Sequence, residues 1–232
     1  AAVRVTGVET WDAIVISGLP LSVDLAGRLA QPFRPFGDVQ AVHGIVRQVA
    51  DLQVGHDAWF GARSSRFRKM IRQAERRAGA AGVALVDVTG DHDAFDRCVA
   101  IEADSWKGRQ ADGITSPGMH RFYEVMTKRL RSQGRFVATI ATLGERDVGY
   151  IFGGIRHDRY RGLQLSFIEA VRHLSISHLL QHHTIKQLAV AGVATYDMGM
   201  EMEYKQRWAD RTEASMSLIV RRAGSRARRS VG

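Results

Sequence analysis

The last third of the chain holds the residues whose types and spacing point most clearly to chemistry. An apolar strand is predicted to lead into a helix that opens with the segment 174–178. The first N–H groups of a helix have no partner within it, and the helix dipole places positive charge at the same end. This opening therefore predicts a site for a phosphate-bearing ligand. The residues expected to form it are Leu174, Ser175, Ile176, Ser177 and His178.

Four histidines surround this helix opening, at His173, His178, His182 and His183. His178 and His182 are four residues apart, which places both imidazoles on one helix face at the spacing of a metal pair. A metal site needs a full ligand set, and no matching third ligand stands out in the sequence. We therefore predict no metal, and we expect His178 to contact phosphate or to pack.

The overall charge favours acidic partners. The chain has 33 Lys and Arg against 24 Asp and Glu, a net charge of +9, and much of the excess lies in 63–77 and 221–229. Such a balance suits nucleic acid, a membrane surface or a phosphorylated co-substrate. Cys98 is the only cysteine, which excludes an internal disulfide and a cysteine-based zinc site. We find no membrane-spanning apolar run and no signal peptide, so a cytoplasmic protein is expected.

Hydrophobic periodicity predicts the elements that must position these residues. A hairpin is expected around Gly144 to Arg146, followed by a strand, the 175–191 helix, a short strand and one or two helical turns. The predicted strands are 13–19, 39–49, 83–88, 136–141, 148–152, 160–168, 194–198 and 214–220. The predicted helices are a short one that is capped by Ser22 or Asp24 and stops before Pro32, and then 64–78, 92–106, 117–132, 175–191 and 203–209. The alternation indicates an α/β protein.

Three segments carry a resemblance to a known family. They are the basic helix 63–77, the stretch from Glu102 to Gly108 with its Ser-Trp-Lys-Gly sequence, and Asp197-Met-Gly199 followed by Tyr204-Lys205. In this order, over most of the chain, they resemble the GNAT acyltransferase superfamily. Within it, they resemble the branch of cellulose-biosynthesis-type acetyltransferases and Fem-type aminoacyl transferases.

The resemblance implies a fold and a domain division. The expected fold is α/β (α+β), with a GNAT-like mixed, mostly antiparallel sheet flanked by helices. Residues 1–80 are expected to form a partial N-terminal GNAT-like half, and residues 81–222 the acyltransferase domain. Residues 223–232 are expected to form a mobile basic tail.

The resemblance also implies an activity. We expect an N-acyltransferase that moves an acyl group, with acetyl expected, from acetyl-CoA or another acyl-CoA to an amine on a small molecule or sugar. A backbone N–H near Ile168 or Ala170 would stabilise the thioester oxygen. Tyr204 would protonate the departing thiolate; the alternative for Tyr204 is a half-buried aromatic at the sheet edge.

Carboxylates are the candidates for the base that deprotonates the amine. Glu169 is the first choice, because it ends an apolar strand where the family's cleft opens and partial burial there would raise its pKa. The alternative is an ion pair between Glu169 and Arg172. Glu102, with Asp104, is the second choice, and an ordinary solvated helix face is its alternative.

Four further residues are expected to contact substrates. Trp106 and Lys107 are expected to wall the acceptor pocket, with a core position as the alternative for Trp106. Lys205 would neutralise a phosphate or a substrate carboxylate, or extend its ammonium into solvent. Asp197 would orient Lys205 or cap the following turn.

Two other functions stay open at this stage. The basic helix 63–77 could follow an RNA backbone, so an aminoacyl-tRNA donor is the alternative to acyl-CoA. Ser177 stands where GNAT proteins usually have glycine, which motivates a non-catalytic binding domain as a third hypothesis. The expected partners are a small-molecule amine or, in the alternative, tRNA, without a membrane; a homodimer is left open.

Overall fold

The structure is a computed structural model that describes residues 11–21, 23–110 and 113–223. The chain divides into two compact units. Unit 1 takes its residues from 1–47 and 212–232, and unit 2 comprises 48–211. The predicted basic tail, 223–232, lies outside the described residues except for Ala223.

The described residues form eight strands and seven α-helices, with several 3-10 turns. The strands are β1 (Ala13–Pro20), β2 (Gly37–Asp51), β3 (Val83–Asp87), β4 (Phe136–Leu143), β5 (Arg146–Arg156), β6 (Arg159–Phe167), β7 (Thr195–Met200) and β8 (Arg211–Arg222). The helices are α1 (Val23–Ala30), α2 (His56–Gly61), α3 (Ser65–Ala80), α4 (Ala94–Ala103), α5 (Trp106–Arg109), α6 (Pro117–Ser132) and α7 (Ile176–Val190).

Unit 1 is a small sheet covered by one helix. Strand β1 pairs antiparallel with β8, with Ala13 opposite Arg221, and β2 follows β8 in the strand order. Its core consists of Ala26 from α1 packed against Met216 and Leu218 of β8. Among the described residues this core has three buried members, with Ile16, Leu19 and Leu29 packed against them, so it is small.

Unit 2 is built on the strand order β7-β6-β5-β4-β3, with the end of β2 beside β7. Strands β3 to β6 pair antiparallel, whereas β6 and β7 run parallel. The β6–β7 ladder joins Arg159 to Arg161 with Thr195 to Asp197, and within the described chain it ends there. Both strands continue beyond that point, so they diverge and leave an opening between them.

Helices α3 and α7 pack together on unit 2. Helix α3 begins where Ser64 accepts a hydrogen bond from the Phe67 N–H at 3.2 Å, and it buries one apolar face. Helix α7 is buried along much of its length, with Ile176, Leu180 and Ile185 fully inside. The predicted fold class, a mixed and mostly antiparallel sheet flanked by helices, is confirmed.

Two predicted boundaries differ from the structure for local reasons. The predicted 92–106 helix divides into α4 and α5, because the Ser105 hydroxyl donates to the Glu102 carbonyl and accepts from the Lys107 N–H. The predicted 175–191 helix does not follow β6 directly. A 3-10 turn (Glu169–Leu174) intervenes, and α7 begins only after Ser175, whose φ is 59°.

One helix escaped prediction. Helix α2 is short and has no side-chain cap, yet it carries Trp59 into the core. The predicted domain boundary at residue 80 falls within unit 2, between α3 and β3. The domain division therefore stays a prediction.

Candidate active site

A cavity of about 540 Å³ opens where β6 and β7 diverge. Aromatic and apolar side chains make up most of its wall, with two lysines and one histidine among them. The lining residues are Trp106, Lys107, Ile151, Gly162, Leu163, Gln164, Leu165, Ser166, Phe167, Ser177, His178, Gln181, Tyr196, Met198, Met202, Tyr204, Lys205 and Trp208. A concave, mostly apolar cleft with a few polar groups is typical of small-molecule sites.

The cavity brings together several residues that are far apart in sequence. The predicted site residues on its wall are Trp106, Lys107, Ser177, His178, Tyr204 and Lys205. The predicted residues that do not line it are Glu102, Ile168, Glu169, Ala170, Leu174, Ser175, Ile176 and Asp197.

Glu102 lies behind the cavity wall and is fully buried. Its carboxylate accepts from the Tyr150 hydroxyl at 2.5 Å and from the Ile114 N–H at 2.6 Å, and it lies 3.9 Å from the Lys107 ammonium. Burial and the nearby Glu102 charge both raise the pKa of Tyr150, so its hydroxyl stays a donor. Glu102 is thus placed to hold Lys107 in position.

Lys107 is anchored at the cavity wall. Its ammonium donates to the Gln164 side-chain carbonyl at 3.1 Å and to the Leu165 backbone carbonyl at 3.0 Å. The Gln164 amide in turn donates to the Tyr123 hydroxyl at 2.9 Å. Trp106, next to Lys107, is 41% exposed and lines the cavity rather than the core. The two residues therefore form a fixed cationic and aromatic part of the wall.

Glu169 stands at the start of the 3-10 turn, outside the cavity. Its carboxylate lies 3.2 Å from the Arg172 guanidinium and 3.6 Å from that of Arg109. This is the ion pair with Arg172 that the sequence offers as the alternative to a base. The charge of Glu169 is shared with two arginines at the surface.

The backbone N–H groups just after β6 already have hydrogen-bond partners within the protein. The Ile168 N–H donates to the Val148 carbonyl at 3.0 Å, and the Glu169 N–H approaches the Asp104 carbonyl at 3.4 Å. Ala170 follows in the 3-10 turn and does not line the cavity. The assignment of an oxyanion donor to Ile168 or Ala170 stays a prediction, and the Ile168 N–H is held in the sheet.

The α7 opening divides its residues between core and cavity. Leu174 and Ile176 are buried in the core, whereas Ser177 and His178 face the cavity. Ser175 adopts the left-handed conformation, and its hydroxyl accepts from the Arg77 guanidinium of α3 at 3.0 Å. A cationic side chain and serine hydroxyls thus meet at the helix opening.

His178 is the one imidazole on the cavity wall among the described residues. Its ring stacks on Trp208, with centroids 6.0 Å apart and an angle of 28°. Burial and then the Arg207 charge lower the pKa of His178 below its ordinary value of 6.5. The imidazole is therefore neutral at physiological pH.

Tyr204 and Lys205 enter the cavity from the 3-10 turn after β7 (Glu203–Lys205). Tyr204 is 59% exposed as a residue, yet partial burial raises the pKa of its hydroxyl. The Lys205 ammonium donates to the Met200 carbonyl at 3.0 Å. Burial, and next the Arg161 charge, lower the pKa of Lys205.

Asp197 is a buried carboxylate that serves two arginines. It lies 3.0 Å from the Arg159 guanidinium, hydrogen-bonds Arg161, and accepts from the Gly199 N–H at 2.9 Å. Burial favours the neutral form, but Arg161, the Gly199 N–H and Arg159 together hold the pKa of Asp197 below its ordinary value. These partners belong to the turn and the β6–β7 ladder. The Asp197 charge also acts on Lys205, whose pKa it raises against the effect of burial, so the predicted orienting role toward Lys205 stays a prediction.

Some cavity residues carry no clear signal in the sequence. The Tyr196 hydroxyl donates to the Gln181 carbonyl of α7 at 3.0 Å, a contact that tertiary packing creates. Of these residues, Gln164 could most easily have been predicted from the sequence, because it is a polar residue within a largely apolar strand. In the sequence, Trp208 looks like an ordinary core residue. Its place at the site follows only from its stacking on His178 in the structure.

The histidine pair predicted at one helix face does not converge. His182 turns toward α2, where its Nε2 lies 3.0 Å from His56 Nε2, and its Nδ1 lies 2.9 Å from Glu75. In the part of the chain that the structure describes, no three His, Cys, Asp or Glu residues group as metal ligands. No helix there is long and apolar enough to cross a membrane.

Comparison with known proteins identifies the family. A sequence-family model described as acetyltransferase (GNAT) domain matches residues 65–206. This match covers most of unit 2 and more than half of the chain. No curated protein sequence matches.

Solved structures show the same fold at low identity. FemX superposes with a TM-score of 0.62 at 12% identity, over 90% of this chain and 72% of FemX. L-PGS from Bacillus licheniformis superposes with a TM-score of 0.56 at 12% identity, over 84% of this chain and 65% of L-PGS. This chain therefore spans less than two thirds of the length of L-PGS. A conserved protein of unknown function from Bacteroides thetaiotaomicron VPI-5482 superposes with a TM-score of 0.59 at 9% identity, over 90% of this chain and 69% of that protein. The family match and the cleft beside α7 agree, and the chain belongs to the GNAT acetyltransferase family.

Proposed function

We propose that this acyltransferase moves an acyl group, with acetyl expected, from an acyl-CoA to an amine on a small molecule or sugar. The observation that carries the proposal is the cavity between the diverging strands β6 and β7, beside the opening of α7. Every residue from Gly162 to Phe167 of β6 lines it, because β7 no longer pairs there. β6 still pairs with β5 there, but its edge on the β7 side offers backbone N–H and C=O groups to an extended ligand.

The chain's own residues fit such a co-substrate. Its pantetheine amides suit the β6 edge, and its phosphates suit Arg77, Ser175 and Ser177 at the α7 opening. When bound, the co-substrate supplies the thioester carbonyl that an amine attacks. Tyr204 then gives its hydroxyl proton to the departing thiolate. Lys107 and Lys205 attract an anionic group of the acceptor.

Isothermal titration calorimetry with acetyl-CoA, longer acyl-CoAs and tRNA tests the donor. We expect an acyl-CoA to bind with micromolar affinity. Arg77→Gln should weaken this binding about tenfold, because a charge-assisted contact to phosphate is lost. Arg76→Gln removes the same charge from an exposed neighbour and should change little. Equal effects of both substitutions would exclude a local role for Arg77.

The second candidate is transfer from an aminoacyl-tRNA. The observation in its favour is the exposed cationic row Arg66, Lys69, Arg72 and Arg76 along α3, together with the resemblance to Fem-type transferases. Such a row can follow a phosphate backbone. Binding of tRNA with no response to any acyl-CoA would replace the first proposal with this one. A protein that responds to neither would be a non-catalytic binding domain.

A further inference from the structure

We infer that His178 is the general base that removes the proton from the attacking nitrogen of the acceptor. The inference rests on the acyl transfer proposed above and adds a catalytic residue to it. An amine in water at neutral pH is largely protonated, and an ammonium has no lone pair with which to attack a carbonyl. A base in contact with the acceptor is therefore required.

The composition of the cavity wall narrows the choice of base. Among the described residues that line the cavity there is no Asp and no Glu. Glu169 lies outside the cavity between two arginines, and Glu102 is sealed behind the wall by Tyr150 and the Ile114 N–H. The lining side chains that ionise are one histidine, two lysines and two tyrosines. Of these, only the histidine is a proton acceptor in its ordinary state at neutral pH.

The position of His178 suits this role. The ring lies on the cavity wall, and stacking on Trp208 fixes its plane. Within the described chain, neither ring nitrogen has a side-chain or backbone hydrogen-bond partner, in contrast to His182, which contacts His56 and Glu75. A substrate nitrogen can thus approach the ring without displacing a protein partner.

The charges around His178 favour the neutral imidazole, which is the form that accepts a proton. Arg207 acts on the ring directly, and the other ionisable lining residues are Lys107, Tyr196, Tyr204 and Lys205. The next turn of α7 brings His182, which faces Glu75 and His56. Burial and Arg207 both favour the neutral imidazole, so the pKa of His178 is lowered.

Two protons leave the acceptor nitrogen during the transfer. The acceptor ammonium gives one proton to a nitrogen of His178, which passes it to water through the open cavity. The neutral amine attacks the thioester carbon, so a C–N bond forms and the C–S bond breaks. The new amide nitrogen loses a second proton to water, the thiolate gains a proton from Tyr204, and the Tyr204 phenolate takes a proton back from water. One proton is released to solvent overall, and no oxidant or reductant is needed.

The test compares pH profiles of thiol release from acetyl-CoA, with glucosamine as the alkylamine probe. For the wild type, kcat/KM should fall as the pH drops below 6.5, through the lowered pKa of His178. His178→Gln should lose roughly 100-fold in kcat/KM and lose this acid limb. His178→Ala should regain activity with added imidazole, a rescue that a merely structural role would not give.

Two controls separate the base from other roles. His183→Gln alters a half-buried histidine of the same helix that does not line the cavity, and it should keep wild-type activity and profile. With 4-aminobenzoate, an arylamine whose amino group is uncharged at neutral pH, the His178→Gln defect should be much smaller. Acetyl-CoA affinity of His178→Gln should match the wild type in calorimetry.

The outcomes distinguish this inference from the proposed function. Wild-type turnover with an unchanged acid limb in His178→Gln would overturn the base assignment and leave acyl transfer standing. Loss of acetyl-CoA binding in that variant would assign His178 to the co-substrate instead. A wild type that releases no thiol with any acyl-CoA would overturn the proposed function and this assignment together.

Discussion

At the scale of single residues, the partners of each carboxylate decide what it can do. Asp197 and Glu102 have nearly all of their surface buried, and each is engaged by several donors. Glu169 keeps contact with solvent but is shared by two arginines. None of these three carboxylates lines the cavity, so under the proposed function the chemistry falls to the uncharged groups on its wall.

Tyr204 is the proposed acid, and its hydroxyl can be removed alone. Tyr204→Phe keeps the ring, so acyl-CoA affinity in calorimetry should stay within about twofold of the wild type. Turnover should fall by roughly 100-fold, because the departing thiolate loses its proton donor. Steady-state kinetics of thiol release measure the loss of turnover. Unaltered turnover would show that another group, or water, protonates the thiolate.

Asp197 should matter for stability more than any exposed carboxylate. Asp197→Asn keeps the shape but removes the carboxylate charge that pairs with Arg159 and Arg161. We expect a loss of about 2–3 kcal/mol in the free energy of unfolding, less than for a fully buried pair because both arginines are partly exposed. Urea denaturation measures it.

Asp104→Asn is the matched control for Asp197. The Asp104–Arg146 pair is exposed on both sides, so its loss should cost less than about 1 kcal/mol. Equal effects of the two substitutions would contradict the structural role assigned to Asp197.

At the scale of elements, the site exists because two parallel strands part and one helix is set closely against the sheet. The β6–β7 ladder ends at Arg161 and Asp197, and α7 fills one side of the resulting cleft. The close approach of α7 to β5 depends on Gly149. A Cβ atom there would lie 2.4 Å from Ile176 Cγ2 and 3.3 Å from Leu180 Cδ1.

Gly149→Ala should therefore push the start of α7 away from the sheet. Overpacking of this kind costs about 1–3 kcal/mol, and acyl-CoA affinity should fall as well, because Ser177 moves with the helix. Thermal unfolding and calorimetry measure the two effects. Gly90→Ala serves as the control, since an added Cβ at Gly90 meets nothing within 4 Å. If Gly149→Ala binds acyl-CoA normally, the helix position is not critical.

At the scale of the whole molecule, the positive charge and the buried histidines set the response to pH. Burial is the largest cause of a lowered pKa at three positions on α7, His178, His182 and His183. The unfolded chain, in which these histidines have their ordinary pKa of 6.5, then binds protons more readily than the folded chain.

The free energy of unfolding should therefore be highest above pH 6.5 and should fall as the pH drops through the lowered histidine pKa values. Asp197 adds to this loss only below its own ordinary pKa of 3.8. Denaturation between about pH 5 and 8 measures the slope. His183→Gln should reduce the slope, because burial lowers the pKa of His183. A stability that rises as the pH falls would contradict the assigned burial.

The sequence by itself determined the family, the fold class and most elements of unit 2. Periodicity placed α6 at its observed bounds and the other main elements within a few residues, because apolar spacing follows directly from burying one face of a helix or strand. Residue types also marked Trp106, Lys107, His178, Tyr204 and Lys205, which the fold gathers around one cavity.

Only the tertiary structure decided which polar groups face that cavity. The sequence pointed to Glu169 as the base and to His178 as a phosphate contact or a packed side chain. In the structure, Arg172 and Arg109 pair with Glu169, whereas His178 lies on the cavity wall beside Trp208. The 3-10 turn before α7 and the short helix α2 likewise depend on contacts with distant segments. A side chain's type fixes the chemistry it can perform, whereas its partners, which come from distant parts of the chain, fix whether it is available to perform it.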